Sequence, residues 1–221
     1  MTKRFTILLI LGFLFTDCFG QFPRVSFATD LSVQRNFKKE QLYWAIGQTV
    51  HTHFHLTPTE GIYVWFSYYT NGNYKNFLVA EAKSPSTIPQ QIDYVNRAQM
   101  RLKQFSLGYK KYIKGTADME KGWGLYAYGG FGLLLGRIIN AHTVAIDTSL
   151  YNVPVLAGKA NFKRLTLDLG VGWEIPVGGD FFFYTEGRAW IPTTDYPSKY
   201  IFVNNNAPLV GMLQVGLRLL F

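Results

Sequence analysis

The chain has 221 residues, of which 17% are aromatic and only 16% are charged, and its formal net charge is +8. Its one cysteine, Cys18, excludes a disulfide within the chain and a metal site built from several cysteines. Beyond the first 20 residues, no run of 18 consecutive apolar residues predicts a transmembrane helix. The chain is therefore either soluble or crosses a membrane with strands.

The first 20 residues have the pattern of a secretory signal peptide. Lys3 and Arg4 precede a mainly apolar run from Phe5 to Phe15, which is too short to span a bilayer. Small residues before Gln21 fit a cleavage site, so we predict a signal peptide over residues 1–20 and a mature domain over 21–221. A lipid anchor on Cys18 is the alternative, although the residues before it match a lipidation motif poorly.

Alternation of apolar with polar or small residues dominates the mature chain. In residues 165–175, six apolar side chains alternate with threonine, aspartate, glycine and glutamate. This length matches the roughly 9–11 residues that a tilted strand needs to cross a membrane. The alternation recurs in eight segments: 25–34, 42–56, 62–69, 104–113, 123–135, 165–175, 181–191 and 209–221.

The connections between these segments are of two kinds. Short connections are predicted at 38–40, 57–60, 116–121 and 178–180, and long ones at 72–98, 140–161 and 192–207. A soluble sandwich would carry polar side chains on its outward face, whereas the face opposite the apolar one is here rich in glycine. We predict an all-β fold, an eight-stranded antiparallel transmembrane β-barrel with short periplasmic turns and long extracellular loops.

The C-terminal sequence LQVGLRLLF places Leu217, Leu219 and Phe221 on one face. It resembles the signal that outer-membrane proteins present to the barrel-assembly machinery. The mature chain is similar to small eight-stranded outer-membrane proteins, and SLGYKKYI with the many Tyr and Asn residues resembles barrel families common in Bacteroidota. The resemblance implies an outer-membrane location and contact with outer-membrane lipid and lipopolysaccharide. Some relatives assist protein secretion and gliding, so an accessory role is an alternative.

In TVHTHFHL, His51, His53 and His55 occupy every second position and are predicted to face the lumen. Side chains two residues apart on one strand face are about 7 Å apart, so an adjacent pair could share a zinc ion. Glu174 is the best further ligand in that prediction. The alternative is that the imidazoles only hydrogen-bond within a polar lumen. No cofactor is predicted.

Charged residues of both signs are also predicted to face the lumen. A lumen of eight strands is just wide enough to be filled by side chains, and paired charges offset one another's desolvation. We therefore predict a plugged lumen, with a small pore for ions as the alternative. The predicted charge network comprises Asp30, Lys110, Arg164, Asp168, Glu174, Glu186, Arg188 and Arg218.

Arg101 and Lys103 break the alternation because they share a face with Phe105. Either a bulge turns them inward or they face the outer leaflet. In the second case they would contact lipid and pair with lipopolysaccharide phosphates. Nucleic acid is not a sensible partner for an exported barrel, despite the basic charge.

The predicted loop 72–98 is the largest, and Ile88, Ile92 and Val95 suggest a short helical turn within it. Exposed apolar residues on a loop mark a protein contact, or they pack back on the barrel rim. We predict a non-enzymatic barrel, structural or partner-binding through its extracellular loops.

A lipid A-modifying enzyme is a further alternative, since it needs a nucleophile beside a histidine and an orienting acid. His142, Ser149 and Asp147 are the candidate set, and all three lie in one predicted loop.

Overall fold

Nine antiparallel strands and one short 3₁₀ helix make up the computed structural model, which describes residues 24–193 and 209–221. The predicted signal peptide and nearly all of the predicted loop 192–207 lie outside these residues. The 3₁₀ helix is Lys39–Gln41. The strands are β1 (Arg24–Asn36), β2 (Tyr43–Thr57), β3 (Glu60–Ala82), β4 (Gln91–Lys114), β5 (Gly124–His142), β6 (Tyr151–Asn152), β7 (Gly158–Gly178), β8 (Phe181–Pro192) and β9 (Val210–Leu220). None of the described helices is long and apolar enough to span a membrane.

The eight long strands form a closed ring. The order around it is β2-β1-β9-β8-β7-β5-β4-β3, and β3 pairs again with β2. Closure satisfies the backbone hydrogen bonds of every long strand, which a sheet surrounded by hydrocarbon requires. The two-residue strand β6 pairs only with the outer end of β3. The predicted eight-stranded antiparallel barrel is confirmed.

The sidedness of the wall is the reverse of that in a soluble protein. In β1, Asp30 is 4% exposed, whereas its neighbour Leu31 is 72% exposed. Because successive side chains of a strand point to opposite faces, the alternating sequence sends polar residues inward and apolar residues outward. The outer face thus suits hydrocarbon, as expected for a transmembrane barrel.

Aromatic rings inside the barrel lie across glycines of the neighbouring strand. Tyr126 pairs with Gly172, and Tyr128 pairs with Gly170, between β5 and β7. A Cβ added at Gly172 would lie 2.2 Å from the Tyr126 ring. The glycine-rich inner face is therefore the space that the rings occupy. Further pairs of this kind are Tyr69–Gly47, Tyr63–Gly108, Phe162–Gly136 and Tyr184–Gly216.

The prediction of a loop over 72–98 is wrong. β3 and β4 remain paired from Gly72 and Met100 out to Glu81 and Gln91, so only residues 83–90 connect them. The predicted helical turn is also wrong, because its later residues belong to β4. A bulge at residues 70–71 inserts one extra residue into β3 and shifts the alternation by one position, which hid the continuing strand.

The protruding β3–β4 hairpin packs against the connection between β5 and β7. Ala80, Tyr94 and Tyr151 form a small buried cluster separate from the barrel interior. Tyr151 also donates a 2.9 Å hydrogen bond from its hydroxyl to the carbonyl oxygen of Pro89. The predicted long connection 140–161 is therefore partly structured, since it contains β6 and the start of β7.

Candidate functional site

The structure places all eight predicted members of the charge network inside the barrel, each with 9% or less of its surface exposed. They do not form one continuous chain of ion pairs. Three separate groups form around the carboxylates of Asp30, Glu174 and Glu186, and Asp168 is held by neutral donors.

Glu174 is the most heavily contacted carboxylate. Its Oε1 accepts hydrogen bonds from Tyr112 Oη at 2.7 Å and from Arg218 Nη2 at 2.8 Å. Arg218 Nε also donates to Oε2 at 3.2 Å, and Lys110 Nζ lies 3.7 Å from the same oxygen. The Lys110 ammonium lies 3.5 Å from the centre of the Tyr126 ring. One carboxylate on β7 thus offsets two buried cations, one on β4 and one on β9.

Glu186 and Arg188 form a second group with two tyrosines. Tyr126 Oη donates to Glu186 Oε1 at 2.8 Å, and Tyr128 Oη donates to Oε2 at 3.2 Å. Arg188 Nη2 lies 3.4 Å from Oε2, and Arg188 Nε donates to Tyr128 Oη at 2.9 Å. The Arg188 guanidinium also stacks 3.9 Å from the centre of the Trp65 ring. Arginine suits this position because its planar group both hydrogen-bonds and stacks.

Asp30 holds the first of the three histidines. His51 Nε2 donates to Asp30 Oδ2 at 2.9 Å, and Tyr184 Oη donates to the same oxygen at 2.8 Å. Thr49 also hydrogen-bonds to this carboxylate. Sequence analysis missed this contact, since it named Glu174 as the further ligand and did not consider Asp30 beside the histidines. In the β1–β2 register Asp30 is opposite Thr49, so it reaches His51 diagonally.

Among the described residues, the other two histidines form no ion pair with a carboxylate. His55 Nε2 lies 2.7 Å from Ser26 Oγ, and the His53 ring stands between the other two, with ring centres 5.6 and 6.0 Å away. Glu174 is held by Lys110 and Arg218, so its predicted role as a further zinc ligand is not supported. Within residues 24–193 and 209–221, no group of three or more His, Cys, Asp or Glu side chains could hold a metal ion. A zinc role for the histidines therefore stays a prediction.

Asp168 and Arg164 lie nearer the outer end of β7. Gln104 Nε2 donates to Asp168 Oδ1 at 2.7 Å, and Thr166 Oγ1 donates to it at 2.9 Å. Arg164 Nη1 donates to the carbonyl oxygen of Lys163 at 2.5 Å. The Asp168 carboxylate is therefore held by an amide and a hydroxyl.

Three large aromatic rings meet inside the lumen. The Trp65 and Trp190 rings are 5.5 Å apart at an angle of 68°, and Tyr69 meets Trp190 edge-on at 5.6 Å. Both tryptophans are fully buried. Sequence reasoning did not identify these rings, although both residues fall on the predicted lumen face of their strands.

Arg101 and Lys103 project outward from β4. The β4–β5 register runs without a shift from Asn96 to Tyr112, so no bulge turns these two side chains inward. Arg101 lies directly opposite Arg137, another exposed arginine. On β7, exposed Lys163 lies opposite Leu135, itself the partner of Lys103. We call the four basic residues the basic patch: Arg101, Lys103, Arg137 and Lys163. They are the clearest charged feature of the outer wall.

The candidate catalytic set in the outer connection does not come together as a triad. Ser149 Oγ donates to Asp147 Oδ1 at 2.6 Å, and the Ser149 backbone N–H donates to the same oxygen at 2.8 Å. These donors lower the pKa of the Asp147 carboxyl below its ordinary value. The His142 ring instead packs 4.6 Å from the Tyr94 ring. The Ser149 hydroxyl therefore hydrogen-bonds within its own turn and does not pair with His142.

The C-terminal residues close the barrel. Leu217 and Leu219 lie opposite Thr29 and Phe27 of β1, and the Phe221 ring meets the Phe27 ring edge-on at 5.7 Å. Phe221 is 65% exposed on the outer wall. The residues predicted to form the assembly signal thus lie at one end of the seam between the first and last strands.

Comparison with known proteins gives matches to solved structures alone. No family model matches the chain, and no curated protein matches it. Neisserial surface protein A aligns with a TM-score of 0.56 and 12% identity over 88% of this chain and 96% of that one. Ail, the attachment invasion locus protein of Yersinia pestis, aligns with a TM-score of 0.50 and 10% identity over 90% and 99%. OprG from Pseudomonas aeruginosa aligns with a TM-score of 0.50 and 8% identity over 90% and 96%. The chain therefore has the fold of the small eight-stranded outer-membrane β-barrel proteins.

Proposed function

We propose that the protein is a non-enzymatic integral outer-membrane β-barrel, with a plugged lumen, that binds a partner through its extracellular surface. The observation that carries this proposal is the β3–β4 hairpin, which extends well past the ends of the neighbouring strands. Such a hairpin is a rigid support for a contact surface, because its strands are paired along their whole length.

The hairpin exposes large apolar side chains that are not buried against the rest of the protein. Phe77 is 82% exposed, Ile88 is 89% exposed and Val79 is 39% exposed. Apolar groups grouped on a projecting element mark a protein contact more often than isolated surface residues do. We infer that a protein partner packs against this side of the hairpin, within the predicted range 72–98.

A pull-down from gently solubilised native outer membrane tests the proposal. The double variant Phe77→Ser with Ile88→Ser should lose a stoichiometric partner that the unchanged protein retains. Val144→Ser is the matched control, because Val144 is an exposed apolar residue in the neighbouring connection. Equal recovery of the partner by all three proteins, or no partner for the unchanged protein, would contradict partner binding through the hairpin.

The plugged lumen is supported by the paired charges and the aromatic rings. Buried cations and carboxylates within contact distance lock one another, and the central tryptophans lie across the path an ion would take. A small pore is the alternative function of the same interior. An accessory barrel of a secretion or gliding system would also fit a partner-binding hairpin.

The basic patch supports contact with the lipid of the outer leaflet. Like charges directly opposite one another destabilise a strand pair, so an anion bound between Arg101 and Arg137 would offset their repulsion. We propose that Arg101 and Lys103 pair with lipopolysaccharide phosphates. The barrel-assembly machinery is the proposed partner during biogenesis, through Leu217, Leu219 and Phe221. The resemblance to Bacteroidota-type barrels stays a prediction.

A lipid A-modifying enzyme is the remaining alternative. Its candidate residues do not support it, since the Ser149 hydroxyl contacts Asp147 on the same turn. A change in the mass of lipid A on expression of the protein would overturn the non-enzymatic proposal.

A further inference from the structure

A groove runs along the outer wall where β8 and β9 carry very little side-chain bulk. Gly211 lies opposite Ala189, and Gly187 lies opposite Leu213. These positions face outward, because the intervening residue Arg188 is buried in the lumen. Two adjacent strands therefore share a stretch in which three of the four outward residues are glycine or alanine, and Leu213 is the fourth.

Larger apolar side chains form the two sides of this groove. Leu169 and Val171 of β7 line one side, and Val33, Phe37 and Trp44 line the other. The groove has a volume of about 910 Å³. This lies within the range of ligand sites, roughly 300–1,000 Å³, and its lining is almost wholly apolar.

The described side chains leave the floor of the groove open at Gly187, whereas the Phe37 ring covers Gly211, where an added Cβ would lie 2.9 Å from the ring. A Cβ added at Gly187 would meet only Leu213 Cδ2, at 3.9 Å. Surfaces that line a gap lose their dispersion contacts, so hydrocarbon that enters the groove restores them. The outward apolar face of the neighbouring strands places this groove within reach of acyl chains.

Arg35 stands at the outer end of the groove, one residue before the end of β1. It lies directly opposite Gly211. Its guanidinium is 4.8 Å from the centre of the Trp44 ring and 5.8 Å from that of Phe37, so both rings hold it beside the groove. Among the described residues, no carboxylate forms an ion pair with Arg35. A cation at this level is placed to meet an anionic headgroup.

We propose that the groove binds one acyl chain of an outer-leaflet lipopolysaccharide, with a phosphate of the same molecule paired to Arg35. The apolar groove favours hydrocarbon, and the Arg35 cation favours an anionic headgroup. Because Arg35 lies at the outer end of the strands, the lipid belongs to the outer leaflet. This inference rests on the proposed outer-membrane location. It names a site separate from the basic patch, which lies on β4, β5 and the outer end of β7.

Native mass spectrometry of the purified full chain, titrated separately with lipid A and with phosphatidylglycerol, tests the inference. Gly187→Leu fills the groove, Arg35→Gln removes the charge, and Leu107→Phe adds bulk to the outer wall on β4 as the matched control. We expect the unchanged protein and the control to retain one lipid A. Gly187→Leu should lose it, and Arg35→Gln should bind it about tenfold more weakly, as for one lost charge-assisted contact.

Retention of lipid A by Gly187→Leu, or equally tight binding of phosphatidylglycerol by the unchanged protein, would overturn the inference. Ala189→Leu is the second filling variant, used if Gly187→Leu does not give the folded band on an unheated gel. A folded wild-type barrel that binds no lipid A contradicts the groove alone. A wild-type chain that never folds into lipid contradicts the proposed function itself.

Discussion

Glu174 illustrates how single buried residues hold the interior together. It accepts hydrogen bonds from Tyr112 and Arg218 and lies beside Lys110, while none of its own surface is exposed. Removal of one partner of a buried ion pair leaves the other charge uncompensated. We expect Glu174→Ala to destabilise the barrel by about 3–5 kcal/mol. Urea unfolding in lipid vesicles measures this change.

Glu60 provides the matched control for that experiment. Its carboxylate lies 2.9 Å from the Lys111 ammonium, but the Lys111 side chain is 62% exposed. Solvent screens such a surface pair, so Glu60→Ala should leave the unfolding midpoint unchanged. Equal effects of the two substitutions would show that the Glu174 contacts do not hold the lumen.

The ring–glycine pairs make a second prediction at this scale. A side chain at Gly172 would collide with the Tyr126 ring, which hydrogen-bonds to Glu186. We expect Gly172→Val to destabilise the barrel by about 1–3 kcal/mol, the range for overpacking. The midpoint of unfolding in urea is again the measurement. Gly187→Ala is the control, since that site is open, and an equally destabilised control would contradict the role of the rings.

The sequence identified which residues face inward but not which of them meet. Alternation alone placed Asp30, His51 and Glu174 on the lumen side. The contact of His51 with Asp30 depends on the diagonal register between β1 and β2, and the contacts of Glu174 cross the barrel to β4 and β9. Local periodicity encodes neither contact, and the choice of Glu174 as a further ligand beside the histidines is not supported.

At the scale of elements, the β3–β4 hairpin depends on its brace. Tyr151 pairs with the end of β3 and hydrogen-bonds to Pro89 at the tip. We expect Tyr151→Ala to speed protease cleavage within residues 83–90 by about tenfold, because local opening becomes easier by roughly 1.4 kcal/mol. Mass spectrometry of timed digests measures the rate.

The control for the brace is Leu150→Ala, an exposed neighbour in the same connection. It should leave the cleavage rate unchanged. The folded band on unheated gels should be the same for both variants, since neither residue contacts the barrel interior. Unchanged cleavage in Tyr151→Ala would mean that the hairpin is rigid by itself.

The turn at Asp147 gives a pH-dependent prediction. The hydroxyl of Ser149 and its backbone N–H stabilise the ionised carboxylate, which lowers the pKa of Asp147. Because the folded pKa is below the unfolded one, this stabilisation is present above the unfolded pKa and is lost as pH falls through the folded pKa. Ser149→Ala should therefore raise the pKa of Asp147. A carboxyl titration by NMR measures it, and an unchanged pKa would contradict the role of the hydroxyl.

The element boundaries could be predicted only where the alternation was unbroken. In β7 and β9 the pattern runs through, and the predicted segments 165–175 and 209–221 fall on strands. In β3 the extra residue at the bulge reverses the inward parity after Tyr69, so a strand of 23 residues was read as a short strand and a long loop. A single inserted residue is invisible to a search for a fixed period.

For the whole molecule, the proposed plugged lumen predicts the absence of ion conduction. Trp65 and Trp190 cross in the lumen, the Arg188 guanidinium lies 3.9 Å from the centre of the Trp65 ring, and the carboxylates of Glu174 and Glu186 are paired with arginines. We expect no single-channel conductance in planar bilayers. The double variant Trp65→Ala with Trp190→Ala should open a measurable conductance if these rings form the block. Discrete channel openings by the unchanged protein would instead favour the pore.

The overall architecture was predictable because it depends on sums over many residues. Strand number, sidedness and closure follow from eight alternating segments, and no single residue decides them. The outer groove was not predictable, since it arises where Gly187 and Gly211 of different strands meet with Ala189. Small residues scattered along a sequence do not reveal which of them will be neighbours in a closed sheet.

The pair of crossed indoles inside the barrel also gives the molecule an optical signature. Trp65 and Trp190 stand at 68° with their centres 5.5 Å apart, whereas Trp44 and Trp123 are 59% and 41% exposed on the outside. Chromophores held close and crossed couple their transitions, so closure of the barrel should create a circular dichroism couplet. Brominated lipids would quench the fluorescence of the outer tryptophans and spare the inner pair. Insertion into lipid and closure of the ring can thus be timed separately in one folding reaction.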